Sequence, residues 1–380
     1  MISIEQKKFT IHNGWKNIRI SDVPAADMQL VLAFGSTALL KDATNYNSIK
    51  EAYPNATILM NSTSGEIMDI EVNDDTISLT AMHFESTKLK TVSVRLEDSA
   101  DSFKAGYRLA SGFDTNGLKS VLVISDGQLV NGSDLVMGLD EFLPKDVIIT
   151  GGLAGDGSDF NTTLVGLNAP PAEGNIVGIG FYGENLTINY GSVGGWDSFG
   201  VERLVTKAEA NVLYELDGKP ALDVYKMYLG EYAEDLPGSA LLFPLCIRSE
   251  HSEEPLVRTI LGVSEQDKSL TFAGNVPKGS YAQLMKANFE SLIEGASDAA
   301  AFTITPNSGK PDLALLISCV GRKLVLNQRI EEEVEIIREL YGNHTAITGF
   351  YSYGEIAPMR NLRKCELQNQ TMTITAFTEA

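Results

Sequence analysis

The sequence is poor in the residue types from which most metal and redox sites are built. Its 380 residues include 3 cysteines, at positions 246, 319 and 365, and 4 histidines, at positions 12, 83, 251 and 344. Their spacing places no two histidines on one helical turn, so a structural zinc site is not expected. Cysteines that are few and widely spaced are typical of reduced thiols, which predicts a cytoplasmic protein.

Basic charge and long apolar runs are scarce as well. The chain has 30 Lys and Arg against 50 Asp and Glu, a formal net charge of −20, which repels nucleic acid and anionic membrane surfaces. The densest basic cluster, residues 359–364 with Arg360, Arg363 and Lys364, is too small to form a convincing patch. No run approaches the roughly 18 apolar residues of a membrane-spanning helix, and the N-terminus lacks the apolar region of a signal peptide. We therefore expect no nucleic acid partner and no membrane insertion.

What the sequence does contain is an alternation of strand-like and helix-like segments. Residues 120–125 and 146–150 have the pattern of buried strands and flank a helical segment at 133–142. Residues 76–84 and 89–95 are rich in β-branched side chains and are predicted to form an antiparallel pair. Further helices are predicted at residues 221–228, 279–296 and 328–341. The pattern indicates the α/β class, of the α+β kind with mixed sheets in layers.

Three strand-like runs recur in the same order in the second half of the chain. SLT at 78–80 returns at 269–271, VLVIS at 121–125 resembles ALLIS at 314–318, and VIITGG at 147–152 resembles TAITGF at 345–350. The separations are nearly constant, at 191, 193 and 198 residues. This predicts a two-lobed, pseudo-duplicated architecture, because a repeat of about half the chain is too long for a solenoid. The alternative is two unrelated α/β layers.

Polar and glycine residues gather at the predicted strand ends. The segment GGLAGDG follows one strand and TGFYSYGEIAP follows its repeat, while Cys319 and Arg322 lie at the end of the 313–319 strand. Ligands bind at this edge of open α/β sheets. Arg322 could clamp a carboxylate, and Asp156 or Glu355 could receive an ammonium. Alternatively, the glycines serve the backbone, the carboxylates cap turns, and Arg322 forms a surface ion pair.

One glycine motif is set aside. Residues 178–183, GIGFYG, match G-x-G-x-x-G by letter, but the following ENLTINYG is strand-like, whereas a dinucleotide site requires a helix at that point. A glycine-rich strand is predicted here.

Several segments together resemble the FIST family of sensory modules. They are LLFPLCIRSE, EEPLVRTILGV, LTFAGNVPKGS, LLISCVGRK and GFYSYGEIAP in the second half, with GGLAGDGSDF and TSGEI in the first. The resemblance covers about residues 27–378. It implies a FIST N-terminal domain at 27–204, a connector at 205–236 and a FIST C-terminal domain at 237–378.

The resemblance also implies a function. FIST modules are proposed to recognise small molecules such as amino acids, and many are fused to kinase, cyclase or chemoreceptor outputs. Some stand-alone bacterial members are reported as haem-binding nitric oxide sensors that modulate a histidine kinase. The family has no established catalytic residues.

Our leading hypothesis is a cytoplasmic sensor for an amino acid-like zwitterion that signals to a separate protein such as a histidine kinase or a cyclase. The predicted ligand-binding residues are Gly151, Gly152, Asp156, Cys319, Arg322, Tyr351, Tyr353 and Glu355. The two glycine motifs are expected to lie within one ligand's reach, about 10 Å, in a cleft between the lobes.

Two alternatives stay open. The first is a haem-based sensor with His344 as axial ligand, chosen because His344 begins the strand that leads to the pocket motif. The second is a hydrolase that uses Cys319 or Asp126. A nucleophilic cysteine would need a neighbouring base, and a buried structural thiol is the simpler interpretation of Cys319.

Overall fold

The structure, a computed structural model, describes residues 1–249, 255–305, 309–359 and 364–380. Most of the basic cluster at 359–364, with Arg360 and Arg363, lies outside the described residues, as does His251. The helices are α1 Thr37–Lys41, α2 Ala43–Ala52, α3 Ser102–Ser111, α4 Gly132–Phe142, α5 Ala221–Leu229, α6 Phe289–Thr303, α7 Val320–Leu326 and α8 Glu332–Tyr341.

The strands up to the middle of the chain are β1 Ser3–Thr10, β2 Gly14–Arg19, β3 Leu30–Gly35, β4 Thr57–Ser62, β5 Glu66–Met68, β6 Glu71–Asn73, β7 Thr76–His83, β8 Lys88–Arg95, β9 Leu118–Ser125, β10 Ile148–Leu153, β11 Val165–Leu167, β12 Asn175–Tyr182 and β13 Leu186–Val193. The remaining strands are β14 Trp196–Glu209, β15 Val212–Leu216, β16 Lys219–Pro220, β17 Leu245–Arg248, β18 Leu256–Arg258, β19 Ile260–Ser264, β20 Ser269–Phe272, β21 Tyr281–Ala287, β22 Leu313–Cys319, β23 Ala346–Ser352, β24 Gly354–Pro358, β25 Cys365–Gln368 and β26 Met372–Glu379.

Three six-stranded sheets share one plan. Their orders are β11-β4-β3-β7-β1-β2, β25-β24-β10-β9-β12-β8 and β13-β26-β22-β23-β5-β6, and we refer to them as the first, second and third sheets. The centre of each is a parallel pair, β3–β4, β9–β10 or β22–β23, with helices in the connection. An antiparallel strand, β7, β12 or β26, flanks the first member of the pair. The mixed α/β class with layered sheets is therefore confirmed.

The repeat has three copies rather than the predicted two. VLVIS and ALLIS form the equivalent strands β9 and β22, and VIITGG and TAITGF contribute to β10 and β23. A further unit, β3 and β4, was missed, because LVLAFG and TILMNS share little lettering with the others. The SLT pairing is wrong, since residues 78–80 lie in β7 of the first sheet and residues 269–271 lie in β20 of a fourth sheet.

The three sheets exchange strands in a cycle. After β4 the chain adds β5 to the third sheet, after β10 it adds β11 to the first sheet, and after β23 it adds β24 to the second sheet. The sheets enclose one apolar core in which Phe34, Ile124, Ile317 and Phe350 are at most 1% exposed. The Phe34 and Phe350 rings, from different sheets, lie 4.9 Å apart. Strands buried on both faces explain the continuous apolar runs in the sequence.

A fourth sheet forms a separate layer with its own core. Its order is β18-β17-β21-β14-β15-β20-β19, with β16 paired to β15, and Leu213, Leu222 and Phe272 are buried beneath it. The segment predicted as a connector, residues 205–236, contributes β15, β16 and α5 to this layer, and the helix predicted at 221–228 is confirmed as α5. The domain boundaries derived from the resemblance stay a prediction.

Other predicted elements need correction. The strands at 76–84 and 89–95 do not pair with each other, because β7 lies in the first sheet and β8 in the second. The predicted helix at 279–296 begins as β21, in which Ala282 and Leu284 alternate with more exposed residues, and α6 begins only after Asn288. The Asn288 side chain accepts a hydrogen bond from the Glu290 backbone at 3.1 Å and caps this helix. Residues 178–183 lie in and just after strand β12, as predicted.

In the described part of the chain no helix is long and apolar enough to cross a membrane.

Candidate functional site

The two glycine motifs are direct neighbours. Strand β10 pairs with β24, so that Gly152 lies opposite Glu355 and Leu153 lies opposite Gly354. The predicted closeness is therefore confirmed, although the motifs meet in a sheet ladder rather than across a cleft. A Cβ on Gly151 would lie 1.8 Å from the Val123 carbonyl oxygen, and one on Gly152 would lie 2.7 Å from Ile317. Gly151 thus permits the close approach of β10 to β9 within the second sheet, and Gly152 permits the packing of the second sheet on the third.

Asp156 and Tyr353 form one polar cluster. The Tyr353 hydroxyl donates a short hydrogen bond to Asp156 Oδ1, and Asp156 Oδ2 accepts from the backbone of Asn161 and Thr162 at 2.8 and 2.6 Å. The Tyr353 ring stacks on Phe160 with centroids 4.7 Å apart. Burial and the Asp156 carboxylate raise the pKa of Tyr353. Asp156 thus orders the loop after β10 and fixes the orientation of Tyr353.

Glu355 is fully buried in a hydroxyl network. It accepts hydrogen bonds from Ser352 Oγ at 2.6 Å and from the Thr371 backbone and hydroxyl at 3.2 and 3.0 Å. Burial raises the pKa of Glu355 to about 8. This environment disfavours the charged form that a partner for an ammonium requires.

The sequence reasoning missed an equivalent of this network in the first unit. Glu66 accepts from Thr63 Oγ1 at 2.5 Å and from the Thr76 backbone and hydroxyl at 3.2 and 2.7 Å. Burial raises the pKa of Glu66 to about 7. A hydroxyl residue three positions before a glutamate that follows glycine, as in TSGE and SYGE, is the sequence signal that could have revealed it. Its repetition indicates that the carboxyl groups join the exchanged strands to the sheets.

Arg322 was predicted to bind one end of a ligand whose other end meets Glu355 or Asp156, but the structure commits its guanidinium to other partners. It is 0% exposed and binds Glu333 of α8 through Nη2 and Nε, at 2.8 and 3.1 Å. Its other donors reach the carbonyls of Leu292, at 2.8 Å, and Gly194. A buried guanidinium is stable only when its donors are satisfied in this way. Tyr351 donates to the same Glu333 at 2.6 Å, so Arg322 and Tyr351 both serve the packing of the third sheet.

The two residues considered for a hydrolase, Cys319 and Asp126, both have structural surroundings. Cys319 is 2% exposed, and burial together with nearby Glu355 raises the pKa of its thiol far above the ordinary value. This disfavours a thiolate nucleophile. Asp126 accepts three backbone hydrogen bonds, from Gln128, Leu129 and Gly174, each at 2.8 Å. Its carboxylate shapes the loop after β9.

That loop forms one wall of a cleft between the second sheet and the fourth sheet. The cleft has a volume of about 470 Å³. From the three-sheet body it is lined by Gly127, Gln128, Leu129, Val130, Asn131, Leu153, Phe160 and Tyr353, and from the fourth-sheet layer by Asn211, Leu261, Phe272 and Ala273. These lining residues, all within the described chain, combine apolar side chains with amides and one hydroxyl and include no charged side chain. Leu129 and Leu261 are 56% and 45% exposed and lie at the rim.

Polar contacts beside the cleft join its two walls. Asn275 of the fourth-sheet layer receives a hydrogen bond from the Asn131 side chain at 3.1 Å and donates to Asp134 at 2.8 Å. Arg258, 2% exposed, donates to the carbonyls of Asn275 and Leu367 at 3.0 and 2.9 Å. Burial lowers the pKa of Arg258 to about 10. Beside the cleft the layers are thus connected through a small set of polar groups, while an apolar cluster that includes Trp196, Met285 and Leu292 joins them elsewhere.

Tyr353 is the one predicted site residue that lines this cleft, and Asp156 supports it from behind. Gly151, Gly152, Cys319, Arg322, Tyr351 and Glu355 do not line it. His344 lies next to the N-terminal end of β23, away from Tyr353, with Nε2 3.5 Å from Asp312 and its side chain 60% exposed. The haem alternative stays a prediction.

The cleft between the two layers has the size and the mixed apolar and polar lining of a small-molecule site. The FIST N domain model matches residues 29–219 and the FIST C domain model matches residues 221–358. The chain therefore belongs to the FIST family, as the sequence predicted. FIST domains are sensory domains of signal-transduction proteins and not a catalytic family.

Two further proteins are similar to this chain. An uncharacterized protein of Methanocaldococcus jannaschii, MJ1623, is 26% identical over 180 residues, which cover 42% of this chain and 32% of that protein. The chain therefore spans about a third of that relative's length. The crystal structure of cyanuric acid hydrolase from A. caulinodans is similar over 100% of this chain and 99% of that one, with a TM-score of 0.37 and 7% identity. A similarity of that size carries no argument about activity.

Proposed function

We propose that this chain is the input component of a cytoplasmic signalling pathway and binds a small amino acid-like molecule in the cleft at Tyr353. The observation that carries the proposal is the position of the cleft. Its lining residues come from both FIST domains, with Tyr353 and Leu261 from the second and Leu129 and Asn211 from the first. A ligand there touches both layers.

The lining supports an amino acid with an apolar side chain. Leu129, Leu261 and Phe160 offer apolar surface, while Gln128 and Asn211 offer amide donors and acceptors. The α-ammonium and α-carboxylate would bind to neutral dipoles, since the cationic Arg322 is committed to Glu333. Uncharged polar groups placed in an apolar cleft are a common basis for ligand orientation.

Signalling would follow from closure of the cleft. A ligand that contacts both walls stabilises the closed arrangement more than the open one and shifts the population towards it. The polar contacts of Asn275 and Arg258 beside the cleft would change as it closes, while the apolar cluster that includes Trp196, Met285 and Leu292 would hold the layers together. The output would lie in a separate protein, such as a histidine kinase or a cyclase, that recognises the closed form.

Thermal shift and calorimetric titration against the standard amino acids and their amides test the proposal. A ligand at 100 times its dissociation constant adds about 2.7 kcal/mol to the free energy of unfolding. Leu261→Arg, which fills the rim, should abolish the shift. Met227→Arg is the matched control, because Met227 is 67% exposed and lies outside the cleft.

Two results would overturn the proposal. One is the absence of any thermal shift at saturating concentrations across the panel. The other is a shift that Leu261→Arg leaves unchanged, because the ligand would then bind elsewhere.

A further inference from the structure

A second cavity lies at the corner where the first and third sheets meet. It has a volume of about 380 Å³ and is lined by Gln6, Ile18, Arg19, Asp69, Ile70, Arg338 and Asn343. None of these residues lines the cleft at Tyr353. The cavity adjoins the loop before β23, whereas Tyr353 follows the other end of that strand. Two arginines in one cavity are unusual for a chain with a formal net charge of −20.

Arg338 is held firmly in place. Its Nη1 donates to the carbonyls of Gly342 and Thr345 at 2.5 and 2.7 Å, and its Nη2 forms a short salt bridge with Asp69. Asp69 in turn donates its backbone N–H to the Ile347 carbonyl at 3.1 Å. These contacts fix one guanidinium on the wall of the cavity.

Arg19 is less completely paired. It is half-buried at the end of β2, and its Nη2 donates to the His344 carbonyl at 2.6 Å. Within the described part of the chain it forms no salt bridge. Asp69 and Asp312 act on it only at longer range, while Arg338 and burial lower the pKa of Arg19. Both arginines donate hydrogen bonds to the same short loop, residues 342–345. The lining of the cavity therefore has two guanidinium groups and one carboxylate, that of Asp69.

We propose that this cavity is a binding site for a small organic anion, held through a carboxylate or phosphate group between Arg19 and Arg338. Guanidinium groups match the two-oxygen geometry of such anions. An anion placed between the arginines relieves their mutual repulsion. Asn343 supplies an amide group for the remainder of the ligand, and the volume falls in the range of small-molecule sites.

Calorimetric titration of the full chain at constant ionic strength tests the site, with sodium acetate, sodium pyruvate and sodium phosphate as probes and sodium chloride as reference. The comparison of carboxylates with phosphate identifies the preferred group. For the best probe, Arg19→Gln should raise the dissociation constant at least about tenfold. Arg19→Lys should raise it less, because lysine keeps the charge but cannot donate two parallel hydrogen bonds from one planar group. Lys16→Gln is the matched control, since Lys16 is an exposed cation on the same strand.

The outcomes separate the site from nonspecific charge effects and from the cleft. The proposal is overturned if no probe binds better than chloride, or if Lys16→Gln weakens binding as much as Arg19→Gln does. It is also overturned if Leu261→Arg abolishes binding of the anion, since the probe would then occupy the cleft. Circular dichroism and the melting temperature of both Arg19 variants establish that they are folded. If Arg19→Gln does not fold, Arg19→Lys decides.

Discussion

The second of the three units differs from the first and third where its second parallel strand ends. In the first and third units the chain re-enters a sheet at once, and Glu66 and Glu355 are buried in matching hydroxyl networks. In the second unit, residues 154–164 leave the sheet before β11 begins. Val165, the first residue of β11, has the position that Glu66 and Glu355 have in the other two units. That excursion carries Phe160 to the cleft. The regular units build the scaffold, and the candidate site lies where the repeat is broken.

The largest expected effect comes from the scaffold. Arg322→Met should destabilise the protein by about 3–5 kcal/mol, because it leaves the Glu333 carboxylate buried without its partner. Urea denaturation measures this change. Arg329→Met, which removes surface ion pairs with Glu290 and Glu332, should cost less than about 1 kcal/mol. Equal costs for the two variants would contradict a structural role for Arg322.

Ligand binding measured on the same Arg322→Met variant distinguishes the scaffold from the cleft. At temperatures where Arg322→Met is folded, its affinity for the amino acid identified in the panel should match that of the unsubstituted protein. A large loss of affinity would indicate that Arg322 contributes to ligand binding, as the sequence predicted.

An intermediate effect concerns the pH dependence of stability. The pKa of Glu355 is raised to about 8 in the folded protein, so the unfolded chain releases this proton first and stability falls between about pH 4.5 and pH 8. Glu355→Gln removes that loss. Its stability relative to the unsubstituted protein should therefore rise between pH 5 and pH 8, by up to about 1.4 kcal/mol for each pH unit in that range.

Two controls sharpen the pH experiment. Glu66→Gln should show the same trend with an upper limit near pH 7, where the pKa of Glu66 lies. Glu332→Gln should not show it, because the hydrogen bond from Arg329 lowers the pKa of Glu332 at this partly exposed position. A relative stability of Glu355→Gln that stays constant from pH 5 to pH 8 would mean that Glu355 is charged in the folded state.

The smallest stability effect belongs to the cleft. Leu129→Ala and Leu261→Ala should each change the free energy of unfolding by less than about 0.5 kcal/mol, because both side chains are largely exposed. Both should nevertheless weaken ligand binding several-fold through lost apolar contact. Met227→Ala serves as the control for both measurements. If a rim variant altered the free energy of unfolding and left the ligand affinity unchanged, the cleft would have a structural role and not the binding role assigned to it.

Local patterns made much of the fold predictable from the sequence. Strand β22 was predicted at its observed bounds, because an apolar run of this kind is typical of a strand buried on both faces. The family was likewise predictable from the combination of motifs. The pairing of strands was not predictable from local patterns. Strands β7 and β8 are consecutive in the chain yet belong to different sheets, because the global packing decides which sheet each strand joins.

The candidate site was less predictable for a related reason. The sequence identified Arg322 as a possible clamp but could not select Glu333 among 50 acidic residues as its partner. Asn211 lies in the segment predicted as a connector, whereas Leu261 and Phe272 lie in the predicted C-terminal domain, and no local pattern links these cleft residues to Tyr353. Their proximity depends on how the fourth sheet packs against the second.

Hydrogen–deuterium exchange with and without the best amino acid from the panel tests the location of the site most directly. The account predicts slower exchange in residues 127–131 and 154–164 and around Leu261 and Phe272, with little change at Glu66, Glu355 and Arg322. Protection confined to the buried strand ends, or to the cavity at Arg19 and Arg338, would contradict the assignment of the sensory site to the cleft between the layers.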